Sequence, residues 1–388
     1  MILGGEFPPD IRVENEALAL LESGHEVTIA CQTRSGKAVS ETYKGIRILR
    51  KPIPQIVYKS SVGCLKFPVY FNFWKSFLQK VFSGNGFDAI HVHDLPLASV
   101  GIRFGKKLNI PVILDLHENW PAMLLTAEHT NSMLGRLLSS EQQWRKYEKE
   151  MTLEADRIIT VVEEMKDRII ALGNDPEKIT VVSNTANIPQ LKLDPALLPD
   201  PRYRTLIYAG GLTFHRGLQV IIKGLREIRE SIPHIRLWLV GEGRYRESLM
   251  ELASREGVSN LVEFKGYQPF DIMFALVQQS DAALIPHLRS EQNDNSSPNK
   301  IFQYMYASKP VISSNCTSLQ RVITETGAGI TYKDTDPHDF ATATVTLLSD
   351  PELHTSAGKK GHEAVINRYN WDITKLNLLN LYRIYNKS

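Results

Sequence analysis

The sequence predicts an α/β protein made of two doubly wound parallel-sheet domains. Three observations carry that reading. Short apolar runs rich in β-branched residues recur along the chain, separated by amphipathic stretches of helical period; this is the pattern of buried parallel strands covered by helices on both faces. A proline-rich interval, residues 187–203, interrupts the alternation with Pro189, Pro195, Pro199 and Pro201. The length, 388 residues, exceeds one ordinary core and suits two domains of under ~200 residues each.

Taken in order, the chain opens with Met1-Ile2-Leu3 before Gly4-Gly5, short for a strand. Either the first strand is unusually short or the native start lies a few residues upstream. The first helix then places Val13, Ala17, Leu20 and Leu21 on one face, with Gly24 positioned to cap its end. Strands are expected at Val27–Cys31, Ile46–Leu49, Ala89–His93, Val112–Asp115 and Arg157–Val162. The first domain is read as 1–186 and the linker as 187–203, where prolines block both helix and central strand. The second domain, 204–370, carries strands at Thr205–Ala209, Arg236–Val240, Val262–Phe264, Ala282–Pro286, Pro310–Ser313 and Gly329–Tyr332. Open α/β sheets bind ligands at the carboxyl ends of their strands.

Bulk properties exclude several functions. Lys+Arg 45 against Asp+Glu 43 leaves a net charge of +2, too little for a nucleic-acid-coating protein. Cys31, Cys64 and Cys316 are far apart and make no ligand spacing, which argues for a reduced, cytoplasmic protein without a structural metal. No apolar run reaches the length of a membrane span, and the N-terminus turns polar by Glu6. No internal repeat is evident.

The most informative stretch is Ser296-Ser297-Pro298-Asn299-Lys300 at the head of an apolar-periodic helix that ends at Lys309-Pro310. Backbone N–H groups at a helix start beside an ammonium suit an anion, here expected to be a diphosphate. This segment resembles the donor-binding motif of the retaining glycosyltransferases of family 4, continuing with Tyr304-Met305 and a Lys-Pro-Val strand. Three further stretches carry the resemblance: Glu6-Phe7-Pro8-Pro9-Asp10-Ile11-Arg12-Val13-Glu14, Asp115-Leu116-His117-Glu118-Asn119, and Tyr208-Ala209-Gly210-Gly211 with Arg216-Gly217. Together they span almost the whole chain.

The resemblance implies the GT-B architecture: two Rossmann-like domains facing a cleft, the acceptor mainly on the first and the nucleotide sugar mainly on the second. A last helix from Trp371 to Tyr385, within 371–388, would cross back to the first domain. It implies a sugar transfer in which Arg216 and Lys300 neutralise the diphosphate leaving group, where an isolated cation at a helix start would otherwise read as solvated. Many relatives carry a second cation where Gly211 stands; Gly210-Gly211 would instead let backbone amides approach the phosphates. The family's two glutamates, eight positions apart, are replaced by Asn295, beside the donor sugar, and Gln303, on the ribose. Amides still bond hydroxyls but supply no carboxylate charge; outside the motif, Gln303 would read as a surface residue. Ser297, Pro298 and Asn299 complete the donor turn. Gly241 and Gly243 form a nucleotide-facing turn or simply a tight turn, since position 246 is Arg and the dinucleotide fingerprint is incomplete. Gly5 would lie under the phosphates; Asp10 and Arg12 there could equally form a helix-capping pair.

In the first domain, His117 ends a strand and the family places it beside the reacting sugar; with Asn295 it is the expected catalytic residue. His91 and His93 alternate on one strand face beside Asp94, a conceivable metal pair with no third ligand in view, so core or cleft histidines are the simpler reading. No acidic DxD-type pair accompanies the phosphate turns, so no metal and no cofactor beyond the UDP- or GDP-sugar substrate is expected. Residues 65–82 interleave Phe67, Tyr70, Phe71, Phe73, Trp74, Phe77 and Phe82 with Lys66, Lys75 and Lys80. This fits either a peripheral contact with anionic headgroups or a core helix with a basic edge. The leading expectation is a metal-independent retaining transferase at the inner face of the cell membrane, building a cell-surface polysaccharide or glycolipid on a glycan or lipid-linked acceptor. A GT-B nucleotide-sugar epimerase and a weakly active nucleotide-sugar-binding subunit are the alternatives.

Overall fold

The computed structural model describes residues 1–84, 86–126 and 139–383. The chain divides into two units, Met1–Ser183 with Lys375–Ser388, and Asn184–Thr374. The residues read as a linker, 187–203, contain only a short 3-10 turn, Ile188–Gln190. The terminal helix runs Trp371–Arg383, so its start belongs to the second unit and its remainder to the first; the expected continuation to Tyr385 lies outside the described residues.

The first unit holds eight strands: β1 (Ile2–Leu3), β2 (Thr28–Thr33), β3 (Ser40–Tyr43), β4 (Ile46–Pro52), β5 (Ile90–His93), β6 (Val112–Leu116), β7 (Arg157–Thr160) and β8 (Ile179–Val181). Their order in the sheet is β3-β4-β2-β1-β5-β6-β7-β8. The two-residue β1 nonetheless occupies the centre, with Ile2 opposite Ala30 on one side and Val92 on the other. All neighbours are parallel except β3, which returns antiparallel along β4. The reversal is a two-residue turn at Lys44 (φ 49°) and Gly45 (φ 85°), whose paired positive φ values match the twist of a hairpin. The edge strands β3 and β8 are not among the expected strands: Ser40–Tyr43 alternates exposed and half-buried without an apolar run, and Ile179–Val181 is only three residues long.

The first helix, α1 (Ile11–Glu22), begins on Asp10, whose carboxylate accepts from the Val13 amide at 3.0 Å. It ends where Gly24 takes φ 91° and its amide bonds the Leu21 carbonyl, as the glycine position predicted. Asp10 therefore caps the helix without Arg12, which reaches across the sheet to Asp115.

The second unit holds β9 (Arg204–Ala209), β10 (Ile235–Val240), β11 (Val262–Gly266), β12 (Ala282–Ile285), β13 (Val311–Ser314) and β14 (Gly329–Tyr332), all parallel in the order β11-β10-β9-β12-β13-β14. Its central strands β10, β9, β12 and β13 are buried on both faces. Leu206, Tyr208, Leu237 and Leu239 enter one core with the helix Leu218–Ser231, while Ile207, Ala209, Trp238 and Val240 enter the other with the helix Lys300–Tyr306. Period-2 alternation thus feeds two apolar layers, and burying each such side chain contributes roughly 1.5–3 kcal/mol. Among the described residues, no helix is long and apolar enough to cross a membrane. Within 65–82, Tyr70, Phe71, Trp74 and Phe77 are buried in the core of the first unit, whereas Phe67 and Val69 are exposed.

Candidate functional site

The second unit gathers two cations at the carboxyl ends of β9 and β12. The helix Lys300–Tyr306 is fastened to the end of β9 by two bonds: Lys300 Nζ donates to the Ala209 carbonyl at 2.6 Å, and the Ala209 amide donates to Tyr304 Oη at 3.0 Å. The ammonium also lies 4.6 Å from the centre of the Tyr208 ring, a cation–π distance. Gly210 is what admits it: a Cβ there would stand 2.3 Å from Lys300 Nζ. The next loop is equally tight, because Gly241 (φ 131°) lies against Gly210 and a Cβ on it would meet the Gly210 carbonyl oxygen at 2.0 Å. Gly243 packs on the backbone of Leu212, whose amide bonds the Glu242 carbonyl at 2.9 Å. Gly211 faces open space.

Arg216 closes a 3-10 turn, Phe214–Arg216, before the helix Leu218–Ser231. Its Nη1 donates to Nε2 of His287 at 2.8 Å. Burial above all, then Arg216 and Lys300, hold His287 well below the ordinary imidazole value, so it is neutral and accepts this bond, leaving the ring proton on Nδ1. Burial first and Arg216 second bring Lys300 down to about 7. The cluster is therefore a place where positive charge is held at a disadvantage, and an anion would relieve it.

The remaining donor-turn residues are differently engaged. Ser297 is buried, and its Oγ has no hydrogen-bond partner. Pro298 is half-buried and Asn299 exposed. Asn295 donates its side-chain amide to the Glu291 carbonyl at 2.7 Å, closing the turn after Glu291–Asp294, so one of its two amide N–H groups is committed to local structure. Gln303 is half-buried, one turn beyond Lys300.

The first unit holds the other expected residues. His117 follows β6, and its Nε2 lies 2.9 Å from Asp115 Oδ2. Asp115 is fully buried and clamped by Arg12, at 2.7 Å from Nη2 to Oδ1 and 3.2 Å from Nε to Oδ2. Burial opposes a charge on His117, but Asp94 and Asp115 outweigh it and raise the imidazole to about 9; His117 is a cation able to donate from both nitrogens. Burial likewise opposes ionisation of Asp115, but Arg12 and His117 outweigh it and hold the carboxyl well below its usual range. Gly5 is exposed and lines a 330 Å³ cavity with Tyr58, Tyr70, Asp94, Trp120 and Trp144. A side chain at Gly5 would meet only Leu3, at 3.9 Å.

Gly210, Arg216, Lys300 and Gly241 are thus brought together in one unit, and His117 is embedded in a charged network in the other. Sequence reasoning missed His287, Tyr304 and Asp115 as partners of the expected residues. For His287 a signal existed: like His117, it follows the end of a parallel strand.

Residues 203–350 match the family described as glycosyl transferases group 1, and residues 11–188 match glycosyltransferase family 4. The chain is 23% identical to the glycogen synthase of Mycobacterium tuberculosis over 287 residues, 73% of this chain and 66% of that protein. It is 22% identical to an uncharacterized glycosyltransferase of Methanocaldococcus jannaschii over 98% of this chain and 96% of that one. Anabaena HepE, solved in complex with UDP, superposes with a TM-score of 0.74 at 14% identity, covering 99% of each chain. Two Rossmann-like units of matching order, joined by these similarities along nearly the whole sequence, show that the chain belongs to the group 1 glycosyltransferases with the GT-B fold.

Proposed function

We propose that this transferase moves a hexosyl group from a nucleoside diphosphate sugar to a glycan or lipid-linked acceptor with retention of anomeric configuration, in synthesis of a cell-surface polysaccharide or glycolipid. The observation that carries the reading is the convergence of Arg216 and Lys300 at the carboxyl edge of the second sheet, with Gly210 clearing space for the ammonium. Heterolysis at the anomeric carbon leaves negative charge on the diphosphate, and two fixed cations stabilise it without a metal ion. The buried Ser297 hydroxyl, which lacks a partner, is placed three residues before Lys300 to donate to a phosphate oxygen. Gln303, one helical turn on, bonds the ribose hydroxyls. UDP in the complex of Anabaena HepE favours a uridine donor.

In the first unit, the cationic His117 donates to a sugar or acceptor oxygen, and the aromatic-walled cavity beside Gly5 and Asp94 takes the acceptor. Exposed Ile56, Phe67 and Val69 stand near Lys59 and Lys66 in sequence, in a stretch with no Asp or Glu between Thr42 and Phe87. That composition favours peripheral contact with anionic lipid at the inner face of the membrane.

A second reading, a nucleotide-sugar-binding subunit of low activity, rests on Asn295: its amide is bonded to the Glu291 carbonyl and it cannot supply the family's carboxylate. Thermal-shift measurements with UDP-, GDP-, ADP- and dTDP-sugars test the site, because a ligand that binds the native state raises its melting temperature. One nucleotide is expected to stabilise the protein, and loss of that shift in both Arg216→Ala and Lys300→Ala identifies the pocket. Turnover of the same donor, with the anomeric configuration of the product read by NMR, separates the retaining enzyme from the binding subunit.

A further inference from the structure

The core of the first unit contains a buried cluster of side chains behind His117, which His93 and Asp115 touch. Glu16 projects from α1, His91 and His93 from β5, and Asp115 from β6; all four are buried. One donor atom from each lies within 4.8 Å of all the others. The imidazole–carboxylate separations are 3.2 Å between His93 Nδ1 and Asp115 Oδ2, 3.6 Å between His91 Nε2 and Asp115 Oδ2, and 3.7 Å between His91 Nε2 and Glu16 Oε2. Ligand atoms around a tetrahedral ion with bonds of ~2.0–2.2 Å stand roughly 3.4 Å apart, so the cluster already has close to the required spacing.

Its hydrogen bonding points the same way. Nε2 of His91 and both carboxylate oxygens of Glu16 lack a hydrogen-bond partner despite complete burial, although the Arg12 guanidinium lies 3.0 Å from one Glu16 oxygen; His93 turns Nδ1 toward Asp115, with His117 Nε2 3.1 Å from the same nitrogen. Such orphaned donors and acceptors are rare in folded proteins. His91 Nδ1 is 2.9 Å from Tyr382 Oη in the terminal helix, an outer bond of the kind that fixes a liganding imidazole with its other nitrogen turned inward. Both oxygens of Asp115 meet Arg12, Oδ1 at 2.7 Å and Oδ2 at 3.2 Å, and Oδ2 also faces His91, His93 and His117.

We propose that Glu16, His91, His93 and Asp115 form a binding site for one divalent transition-metal ion, a structural site within the first unit and separate from the diphosphate pocket. Two imidazoles with two carboxylates suit Zn²⁺ among common ions. Binding requires Arg12 to leave Glu16, and its bidentate contact with Asp115 keeps that movement small. The ion would fasten α1, β5 and β6 from one point.

Full-length protein, treated with a chelator and then freed of it, is titrated with Co²⁺ and with Zn²⁺. The expected result is saturation at one equivalent, with visible ligand-field bands of four-coordinate Co²⁺ that Zn²⁺ abolishes. Glu16→Gln keeps the side-chain volume and should weaken binding about tenfold or more; His91→Ala should remove the bands, and His234→Ala, at an exposed position of the second unit, should leave them unchanged. Absence of saturable binding in wild type, or bands that persist in both Glu16→Gln and His91→Ala, overturns the site. If circular dichroism shows that His91→Ala does not fold, the isosteric Glu16→Gln decides alone.

Discussion

The two units bury charge in opposite ways. In the first, the cations Arg12 and His117 are matched by the carboxylates Asp115 and Asp94. In the second, the strongest influences on Lys300 and His287 are burial and other cations, and the polar contacts of the two cations are a carbonyl and a neutral imidazole. A buried charge is tolerated when paired and costly when not. The cations of the first unit are therefore compensated within the protein, whereas an anion would relieve those of the second.

That contrast is broken most severely at Asp115. Removing one partner of a buried network leaves the others uncompensated, which destabilises by about 3–5 kcal/mol. Asp115→Ala should accordingly lower the unfolding midpoint of the first unit in urea by that equivalent. Lys300→Ala should do the reverse in kind, leaving the empty protein as stable or slightly more so; a large loss there would show that the second cluster is balanced too.

Ligand affinity is where the second cluster should respond. Charge-assisted bonds to phosphate contribute on the order of 1.5–3 kcal/mol each, so Arg216→Ala and Lys300→Ala should each weaken nucleotide-diphosphate binding roughly tenfold or more by titration calorimetry. Gln303→Ala should cost about 1–3 kcal/mol through unpaired ribose hydroxyls, while Gln303→Glu should bind as well as wild type or better. An Ala variant with full affinity would place the ribose elsewhere.

The pH dependence follows from Lys300. Its ammonium faces Arg216, the Tyr208 ring and neutral His287, and it titrates near 7 when folded against 10.5 for the free side chain. Between those values the unfolded chain binds more protons, so this residue makes the empty fold more stable as pH rises from 7 to 10.5. A diphosphate prefers the ammonium, so affinity should be greatest below pH 7 and decline above it. The decline should vanish in Lys300→Ala; a profile shared by both proteins would assign it to another group. The smallest effect is expected from magnesium, manganese or EDTA, none of which should change nucleotide affinity, since protein cations already neutralise the diphosphate.

Much of the fold was legible because strand burial and helix faces repeat at short range. Val13, Ala17 and Leu20 line the buried face of α1, and the expected strands of both sheets are present. The hairpin strand β3 was not legible, since Ser40–Tyr43 has no apolar run and depends on pairing with β4 and on the Lys44-Gly45 turn. The turn from Ser297 into the helix at Lys300 was legible because its residues are adjacent.

By itself, then, the sequence determined the two-sheet architecture and the order of the motifs, because periodicity and turn chemistry act over a few residues. Tertiary structure alone decided what the charged groups do. Arg216 meets His287 across 71 positions and Arg12 meets Asp115 across 103; whether a cation is paired, hydrogen-bonded to a carbonyl or left facing another cation depends on which strand ends the folded sheet brings together, and no local pattern encodes that distance.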